Sequence, residues 1–425
     1  MAAGTYRQQP VNKEPDTEQA PSRWFKINGS PDLLLSLTMV LFVVFGLIMV
    51  WSASYDFSYN EYGDPNYQIY RQVLWMFLGI TTCVTLSTID YHRLAKFAVP
   101  IMLFTIGMLV FVFISGQERL NAVRTLFNGS IQPSELAKLT IVIYLSVWLN
   151  SRKDMLHDAT WGLIPFGIII GVLVILILMQ PDTSAAITVA ILGVLLFYLG
   201  GSGLKQFLIV SLVAGVAGYF LLTIFSSTGS SRFESFFNGL KDSKNSADHV
   251  IYAFEAIVNG GWFGVGIGNS VGKYTVLPFE STDSIFAVIT EELGLLGAMF
   301  TVSLYGVIAW RGFKIANRAS DMLGSLLAAG LTVWIVFEAG INMLSLVGWF
   351  PFAGNALPFI SYGGSSVLMS FIAIGIIFSV SRHSGEQTEA EEWRGFSATF
   401  DLRGRNRRRS VSRSSRSERI DQDPS

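Results

Sequence analysis

The sequence predicts an all-α polytopic membrane protein with ten transmembrane helices, both termini cytoplasmic, and a large extracytoplasmic loop between helices 7 and 8. Composition is the first observation: 51% of the 425 residues are hydrophobic and only 14% are charged, whereas a soluble globular protein carries about 25% charged residues. The second is that apolar runs recur along the whole chain, and a spanning helix needs about 20 such residues. The third is that basic residues concentrate in alternate loops, and an excess of lysine and arginine is typical of cytoplasmic loops.

Ten segments meet or approach the length of a membrane span. In chain order they cover residues 32–53, 70–88, 94–115, 133–150, 161–179, 183–200, 205–226, 284–310, 321–345 and 359–381. Only the four residues from Gln180 to Thr183 separate the fifth segment from the sixth, and Pro181 among them breaks the ladder of helix hydrogen bonds. We therefore expect two helices joined by a tight turn, rather than one long helix.

The distribution of lysine and arginine sets the orientation. With the N-terminus in the cytoplasm, most of the 30 basic residues lie on the cytoplasmic side, as the positive-inside rule requires. We predict a disordered cytoplasmic tail at 1–30, a ten-helix membrane domain at 31–382, and a disordered arginine-rich cytoplasmic tail at 383–425. That last tail offers neither a folded basic surface nor interleaved aromatic residues, so we expect no nucleic-acid partner.

The longest connection is the extracytoplasmic loop at 227–283, and loops of such length are usually functional or disordered. Within it, residues 247–258 place apolar side chains on one helical face, and the run Asn259-Gly260-Gly261 ends that helix. We expect an amphipathic helix that lies at the membrane surface. A glycine-rich run follows it.

Charged side chains inside apolar segments are candidate functional residues, because a charge at mid-bilayer costs on the order of 3 kcal/mol. In NAVRTLFNGSIQPSELAKL, residues 121–139, Glu135 and Lys138 lie three apart on one face of the fourth segment, and Arg124 precedes them. Two interpretations stand. The residues form an ion pair at a helix start with a snorkelling lysine, or they form a cationic phosphate site in which Glu135 orients Lys138.

Three acids stand at the start of the eighth segment. Asp283 lies at its N-terminal end, where a carboxylate is favoured by the helix dipole and could cap the helix. Glu291 and Glu292 lie about 12–14 Å further along, at 1.5 Å per residue, which capping cannot explain. These two carboxylates need partners or water, so we expect a polar cavity that opens to the outside around this helix.

The stretch NALPFISYGGSSVLMS, residues 355–370, supplies hydroxyl groups beside a pair of glycines. Ser361 and Ser365 could line the same cavity, or the small residues could only allow close helix packing. Glu338 and Asn342, four apart near the outer end of the ninth segment, add to the polar side. The scattered histidines and the single cysteine do not suggest a metal site. These residues suit a lipid substrate with a phosphate head group. They do not decide whether the protein transports that lipid or catalyses a reaction of it.

Four ordered blocks, within about residues 30 to 382, resemble the SEDS family (shape, elongation, division and sporulation) of bacterial ten-span peptidoglycan glycosyltransferases. The blocks are IQPSELAKL, QPDTSAA, GGWFGVGIGNSVGKYTVLPFESTDSIFAVITEELG and LPFISYGGSS. The GNSVGK and YGGSS forms and the long tails resemble the cell-division branch of the family, or its sporulation relative, more than the elongation branch.

The resemblance implies a site. Asp283 falls on the family's essential acid in its T-D motif. Glu135 and Lys138 match its Q-P-S/A-E-x-x-K block, Arg124 its preceding arginine, and Asp182 its Q-P-D acid. The expected substrate-binding set is Arg124, Glu135, Lys138, Asp182, Glu292, Ser361 and Ser365. The chain departs from the family pattern at Thr125, Ser184, Asp248, His249, Ser284 and Glu338.

The resemblance also implies a reaction: polymerisation of lipid II at the outer face of the bacterial cytoplasmic membrane, in cell division or elongation. Asp283 is then the expected general base of an inverting transfer, with Arg124 and Lys138 at the pyrophosphate. No cofactor follows from the sequence, although a divalent cation, Mg²⁺ or Mn²⁺, could assist as a Lewis acid.

The expected partners are lipid II, undecaprenyl-pyrophosphate-linked glycan, a class B penicillin-binding protein and other cell-wall synthesis proteins. Two alternatives to the enzyme stay open. One is a lipid II flippase, which the lack of an evident inverted repeat disfavours. The other is a non-catalytic scaffold for the penicillin-binding protein.

Overall fold

The computed structural model describes residues 32–115, 117–119, 122–125, 131–153, 156, 162–225, 227–241, 248–270, 281–351 and 354–383. The predicted terminal tails lie outside these ranges. In chain order the helices are α1 Leu33–Tyr62, α2 Tyr67–Thr88, α3 Tyr91–Lys96, α4 Ala98–Ser115, α5 Pro133–Ser151, α6 Ile164–Leu178, α7 Thr183–Leu199, α8 Leu204–Phe225, α9 Ser227–Lys241, α10 Asp248–Gly260, α11 Ile285–Asn317, α12 Met322–Leu346 and α13 Gly364–His383. Strands β1, Gln117–Arg119, and β2, Ala122–Thr125, pair antiparallel between α4 and α5.

Each of the ten predicted segments coincides with a helix in the described part of the chain. Among the described helices, five are long and apolar enough to cross a membrane, namely α1, α2, α11, α12 and α13. The predicted class, a helical multi-pass membrane protein, is therefore confirmed. The ten-span order itself stays a prediction.

The division of the fifth segment from the sixth is confirmed. Helix α6 ends at Leu178 and α7 begins at Thr183. Asp182 is the N-cap of α7, because its Oδ1 accepts a hydrogen bond of 3.3 Å from the backbone N–H of Ala185. Pro181 and this cap together explain why the chain turns here.

Helices α12 and α13 form the centre of the bundle. Of the candidate spans in the described chain, they are the most enclosed: 72% of the residues in an 18-residue stretch of each are buried, against 22% for α2. Helix α12 packs against α5, α7, α10 and α11. A side chain that projects from α12 therefore meets several elements that are distant in sequence.

The bundle has two ends. At the tail end, the guanidinium of Arg311 makes a two-point ion pair with Asp32, the N-cap of α1, with Nε 2.9 Å from Oδ2. There Tyr91 donates a hydrogen bond of 2.7 Å to Asp321, and His92 Nε2 lies 3.1 Å from the same carboxylate. The opposite end, where α5, α11 and α13 begin, is the loop end.

Helix α11 is broken at Gly294, which has φ 68° and ψ −165°. In a continuous helix, the N–H groups of residues 295 and 296 would donate to the carbonyls of residues 291 and 292. Instead, Val265 and Gly266 donate to those two carbonyls, at 3.0 Å each. The N–H groups of residues 295 and 296 donate to the carbonyls of Gly261 and Trp262, at 2.9 and 3.3 Å. The glycine-rich segment 260–270 thus replaces the hydrogen bonds that the break removes.

Glycine is required where this segment touches α11. A Cβ atom on Gly264 would lie 2.1 Å from the carbonyl oxygen of Glu292, and one on Gly260 would lie 2.1 Å from that of Thr290. No side chain can rotate away from such an overlap, because the clash is with backbone. The sequence therefore carries glycine at these positions to let two backbones meet.

Helix α10 confirms the helix predicted at 247–258, and its position at the membrane surface stays a prediction. Its buried face consists of small residues, Ala253, Ala256 and Gly260, and it packs against α11. The apolar side chains of Phe254 and Val258 are exposed on the other side. Small residues allow close approach to α11, and the larger apolar ones face outward.

Candidate active site at the loop end

Lys138 of α5 lies between two carboxylates. Its Nζ donates to Oε1 of Glu135 at 2.7 Å and to Oε1 of Glu338, which projects from α12. The ammonium also lies 5.9 Å from the centroid of the Trp334 ring. Lys138 is 3% exposed. The predicted pairing of Glu135 with Lys138 is present, but the lysine is enclosed rather than snorkelling to the surface.

The cluster of Glu135, Lys138 and Glu338 holds more acid than base. Two ionised carboxylates and one ammonium leave one excess negative charge in a buried place, which is costly unless a further proton or donor is present. Within the residues that the structure describes, Oε2 of Glu135 is buried and has no hydrogen-bond partner. The cluster thus has a free acceptor.

Asp182 and Ser365 hold the start of α5. Oδ2 of Asp182 accepts hydrogen bonds from Gln132 Nε2 and from Ser134 Oγ, both at 2.7 Å. The backbone N–H of Gln132 donates to Oγ of Ser365, at 3.1 Å. The starts of α5, α7 and α13 therefore meet beside the Lys138 cluster.

Asp283 lies in the turn that precedes α11, and its backbone is fixed on two sides. Asn342 of α12 donates to its carbonyl at 2.8 Å. Next to it, Ser361 donates to the carbonyl of Thr282 at 2.6 Å. The N-cap of α11 is Ser284, so the alternative that Asp283 caps this helix is wrong. The Asp283 residue is half-buried.

Helix α12 links Asp283 to Lys138. Asn342 holds the backbone of Asp283, and Glu338 binds the ammonium of Lys138. These two α12 residues are four apart, which is about one turn, or about 6 Å of rise. The acid and the lysine that the sequence singled out separately are therefore attached to successive turns of one helix.

Glu291 and Glu292 are both fully buried. Oγ of Ser52, on α1, lies 2.7 Å from each carboxylate oxygen of Glu292, and Ser270 donates to Glu291. Among the described residues, these hydroxyl groups meet the predicted need for partners. The polar cavity that we expected around this helix stays a prediction. A substrate contact by Glu292 would require this packing to open.

Arg124 belongs to β2, and its side chain lies outside what the structure describes.

Sequence reasoning missed Gln68 and Gln72 of α2. Gln68 accepts a hydrogen bond of 3.0 Å from Ser281, and Gln72 donates one of 3.2 Å to the carbonyl of Ser361. The sequence signal that could have identified them is the pair of glutamines, spaced four apart, at the start of an apolar segment.

The acids of this region do not converge as metal ligands would. In the described ranges, no group of three His, Cys, Asp or Glu side chains is arranged to hold a metal ion. The two glutamates of the Lys138 cluster bind the ammonium, and Asp182 binds the start of α5. A cation held only by the described side chains does not fit this arrangement.

Comparison with known proteins gives consistent matches. The family model described as "Cell cycle protein", which covers FtsW, RodA and SpoVE, matches residues 32–386. A protein of Trichlorobacter lovleyi named "Probable peptidoglycan glycosyltransferase FtsW" is 33% identical over 82% of this chain and 93% of its own. "Stage V sporulation protein E" of Bacillus subtilis is 32% identical over 84% and 98%.

Two solved structures share the fold. The rod shape determining protein RodA of Thermus thermophilus has a TM-score of 0.61 at 24% identity, covering 83% of this chain and 97% of its own. A chain from a solved structure described as "Structural coordination of polymerization and crosslinking by a peptidoglycan synthase complex" has a TM-score of 0.69 at 23% identity, covering 84% and 98%. At these identities the likeness concerns the helical architecture alone.

Proposed function

Since the chain belongs to the FtsW/RodA/SpoVE family of cell cycle proteins, we propose that it is a peptidoglycan glycosyltransferase. It polymerises lipid II into glycan strands at the outer face of the bacterial cytoplasmic membrane. The observation that carries the proposal is the attachment of Asp283 and Lys138 to successive turns of α12 at the loop end. A carboxylate and an ammonium group positioned by the same helix suit a group transfer from a phosphate leaving group.

The chemistry needs two kinds of group. The donor sugar is α-linked to a pyrophosphate and the new bond is β-1,4, so a single displacement inverts the configuration. Such a step needs a base for the acceptor hydroxyl and stabilisation of the departing pyrophosphate. Asp283 is the proposed base, because it is half-buried and its backbone is held by Asn342. A fixed backbone limits the positions that the carboxylate samples.

Arg124 and Lys138 are proposed to bind the pyrophosphate. Lys138 has three N–H donors, and two of them bind Glu135 and Glu338. One donor is therefore left for a phosphate oxygen, while the positive charge of Lys138 is already offset. The net positive charge that a pyrophosphate requires then comes from Arg124, and Glu135 positions the lysine.

The other predicted substrate residues are proposed to shape the site. The contacts of Asp182 and Ser365 with Gln132 support a role in positioning the start of α5. The contact of Ser361 with the carbonyl of Thr282 supports a role in positioning Asp283. The enclosure of Glu292 supports a role in holding α11 against α1 rather than direct contact with the sugar.

A divalent cation is kept as a proposal, with no step assigned to it. Mg²⁺ is commonly bound through substrate phosphates and only one or two carboxylates, so a Mg²⁺ or Mn²⁺ ion would arrive with the pyrophosphate. We expect polymerisation to fall when excess EDTA is added to the purified protein and to return when Mg²⁺ is restored. An unchanged rate in EDTA would remove the cation from the proposal.

We further propose that a class B penicillin-binding protein is a partner, within a larger set of cell-wall synthesis proteins. The support comes from a structural relative that belongs to a peptidoglycan synthase complex in which polymerisation and crosslinking are coordinated. In the proposed pair, the partner supplies crosslinking and this chain supplies glycan strands.

The decisive experiment uses purified protein, with and without such a partner, and labelled lipid II. Asp283→Asn keeps the shape of the side chain and removes the base, so we expect polymer formation to fall at least about 100-fold. Glu255→Gln is the matched control, because Glu255 is an exposed acid on α10 at the same end of the bundle. Polymerisation by Asp283→Asn at the normal rate would reject the base, and translocation without polymer by the unmodified protein would favour a flippase.

A further inference from the structure

Two asparagine side chains lie beside the proposed base. Asn342 of α12 is 2% exposed, and Asn355, which precedes α13, is 7% exposed. Nδ2 of Asn342 donates to the carbonyl of Asp283 at 2.8 Å and to the carbonyl of Asn355 at 2.6 Å. Both partners are backbone carbonyls, which only accept hydrogen bonds. The orientation of the Asn342 carboxamide is therefore fixed by its contacts, and its oxygen points away from them.

The remaining ends of the two carboxamides are buried and unpaired. Within the part of the chain that the structure describes, Oδ1 of Asn342 and Nδ2 of Asn355 have no hydrogen-bond partner. Most buried polar groups are hydrogen-bonded, and each one left unsatisfied costs about 1–3 kcal/mol. One free acceptor and one free donor, on residues joined by a hydrogen bond next to Asp283, indicate a ligand that supplies both missing partners.

The chemistry of the missing ligand follows from this pair. Phosphate and carboxylate groups are acceptors when ionised, so they satisfy Asn355 but leave the oxygen of Asn342 facing another oxygen. An ammonium group is a donor only, so it leaves Asn355 unpaired. A secondary amide carries an N–H donor and a C=O acceptor on separate atoms, so one group can pair with both residues, whereas a hydroxyl or a water molecule must offer its donor and its acceptor from a single oxygen.

We propose that Asn342 and Asn355 form a subsite for the 2-acetamido group of an N-acetylhexosamine unit. The amide N–H of the sugar donates to Oδ1 of Asn342, and its C=O accepts from Nδ2 of Asn355. This contact places the sugar against Asp283, whose backbone Asn342 already holds. The inference rests on the proposed function, because it names the part of the lipid II disaccharide that the site recognises. It makes the two asparagines specificity-determining residues for the sugar.

The two atoms are enclosed in the structure, so the subsite fills when the segment at 354–357 separates from α12. Asn355 is the residue of that segment that Asn342 binds. Binding the acetamido group would give each of the two unpaired atoms a hydrogen bond. The sugar therefore stabilises the open arrangement.

The test compares lipid II with an analogue in which hydrogen atoms replace the acetamido groups, so that both substrates carry the same charge and the analogue has neither a donor nor an acceptor at that position. We expect the unmodified protein to polymerise lipid II at least about tenfold faster than the analogue, because a site built to bind N–H and C=O groups rejects a substrate that lacks them. Asn355→Ala is expected to lower the rate on lipid II and leave the rate on the analogue nearly unchanged, so that the preference disappears. Asn342→Ala also releases the backbone of Asp283, so we expect it to lower both rates and to abolish the preference.

Ser345→Ala is the matched control. Ser345 is buried on α12, one turn from Asn342, and its hydroxyl bonds only the carbonyl of Asn342 among its described contacts. We expect this variant to keep the preference for lipid II. A purely structural role of the asparagines would lower the rates on both substrates by the same factor.

Binding gives a second readout that does not depend on polymerisation. The thermal shift that each substrate causes in the purified protein, inactivated by Asp283→Asn, is expected to be larger for lipid II than for the analogue. If the unmodified protein makes no polymer but shows this binding preference, the proposed function fails and the subsite stands. Equal rates and equal thermal shifts with both substrates would overturn the subsite.

Discussion

At the scale of single residues, the lysine of the site is held more tightly than its sequence neighbours indicate. Lys138 binds Glu135 on its own helix and Glu338 on α12, and all three side chains are buried. A buried ammonium with two carboxylate partners is well satisfied, whereas the carboxylates share a single positive charge. Loss of the lysine would therefore leave two buried carboxylates without a cation, so the stability of the cluster depends on Lys138 in particular.

Lys138→Met should destabilise the protein strongly. Methionine fills much of the same volume but leaves Glu135 and Glu338 buried without a cation, and breaking a buried ion pair in this way costs about 3–5 kcal/mol. We expect the melting temperature of the detergent-purified protein to fall by about 6 °C or more. Fluorescence-detected size-exclusion chromatography after heating is the measurement.

Glu338→Gln is the control for that prediction. A glutamine oxygen still accepts the hydrogen bond from Lys138, and the substitution removes the excess negative charge. We expect a melting temperature equal to or above that of the unmodified protein. The account of the cluster is wrong if Glu338→Gln is as unstable as Lys138→Met.

Part of this cluster could be predicted from the sequence. Glu135 and Lys138 are three apart on a helix, and that spacing alone predicts their contact. Glu338 lies 200 residues from Lys138 along the chain, and no local pattern connects the two. The pairing depends on how α12 packs against α5, which is a property of the bundle. The sequence singled out Asn342, but its contacts with Asn355 and with the backbone of Asp283 were missed for the same reason.

At the scale of elements, α11 and the segment 260–270 form one hydrogen-bonded unit. The break at Gly294 frees two carbonyls and two N–H groups, and the segment pairs all four. Unpaired backbone groups are especially costly in a membrane because no water is present to bind them. The glycine-rich run is thus explained by backbone contact and needs no ligand.

Gly264→Ala should be far more damaging than Gly268→Ala. Both glycines have left-handed backbones, with φ of 77° and 88°, so alanine has the same conformational cost of about 1–2 kcal/mol at either position. A Cβ on Gly264 also meets the carbonyl of Glu292 at 2.1 Å, whereas one on Gly268 meets nothing within 4 Å. We expect an additional loss of about 1–3 kcal/mol for Gly264→Ala.

The measurement is the thermal midpoint of each purified variant, with Gly268→Ala as the matched control. Equal midpoints would mean that the segment does not lie against α11 as described. The sequence reveals the glycines of this run but not their role, because the contacted carbonyls lie about 30 residues further along the chain. The packing of α10 was not predictable for a related reason: apolar periodicity located its larger side chains, whereas the face that packs against α11 consists of small residues.

At the scale of the whole molecule, hydropathy predicted the described helices well. Each apolar segment became a helix because a chain in lipid must satisfy its backbone groups internally. Boundaries were less accurate where polar residues continue a helix, as in α1, which extends to Tyr62. The order in which helices pack around α12 was not predictable, since apolar faces of similar composition do not specify their neighbours.

The predicted orientation can be tested by labelling single cysteines. Cys83 is the only native cysteine, and Cys83→Ala gives a cysteine-free background. Asp64, at the loop end, and Asn317, at the tail end, are both exposed. We expect an impermeant maleimide to label Asp64→Cys in right-side-out vesicles and Asn317→Cys in inverted vesicles. The reverse pattern would place the proposed active site in the cytoplasm.

The joint between α11 and the segment 260–270 limits how relatives of this protein can be recombined. A hybrid that joins the segment 260–270 of one relative to the α11 of another, with a cut near Asp283, can separate four backbone groups from their partners. Functional crossover points therefore lie before Asp248 and after Leu296, so that the glycine run and the broken helix are inherited together. Hybrids cut at those points should insert and fold, while hybrids cut between them should be degraded.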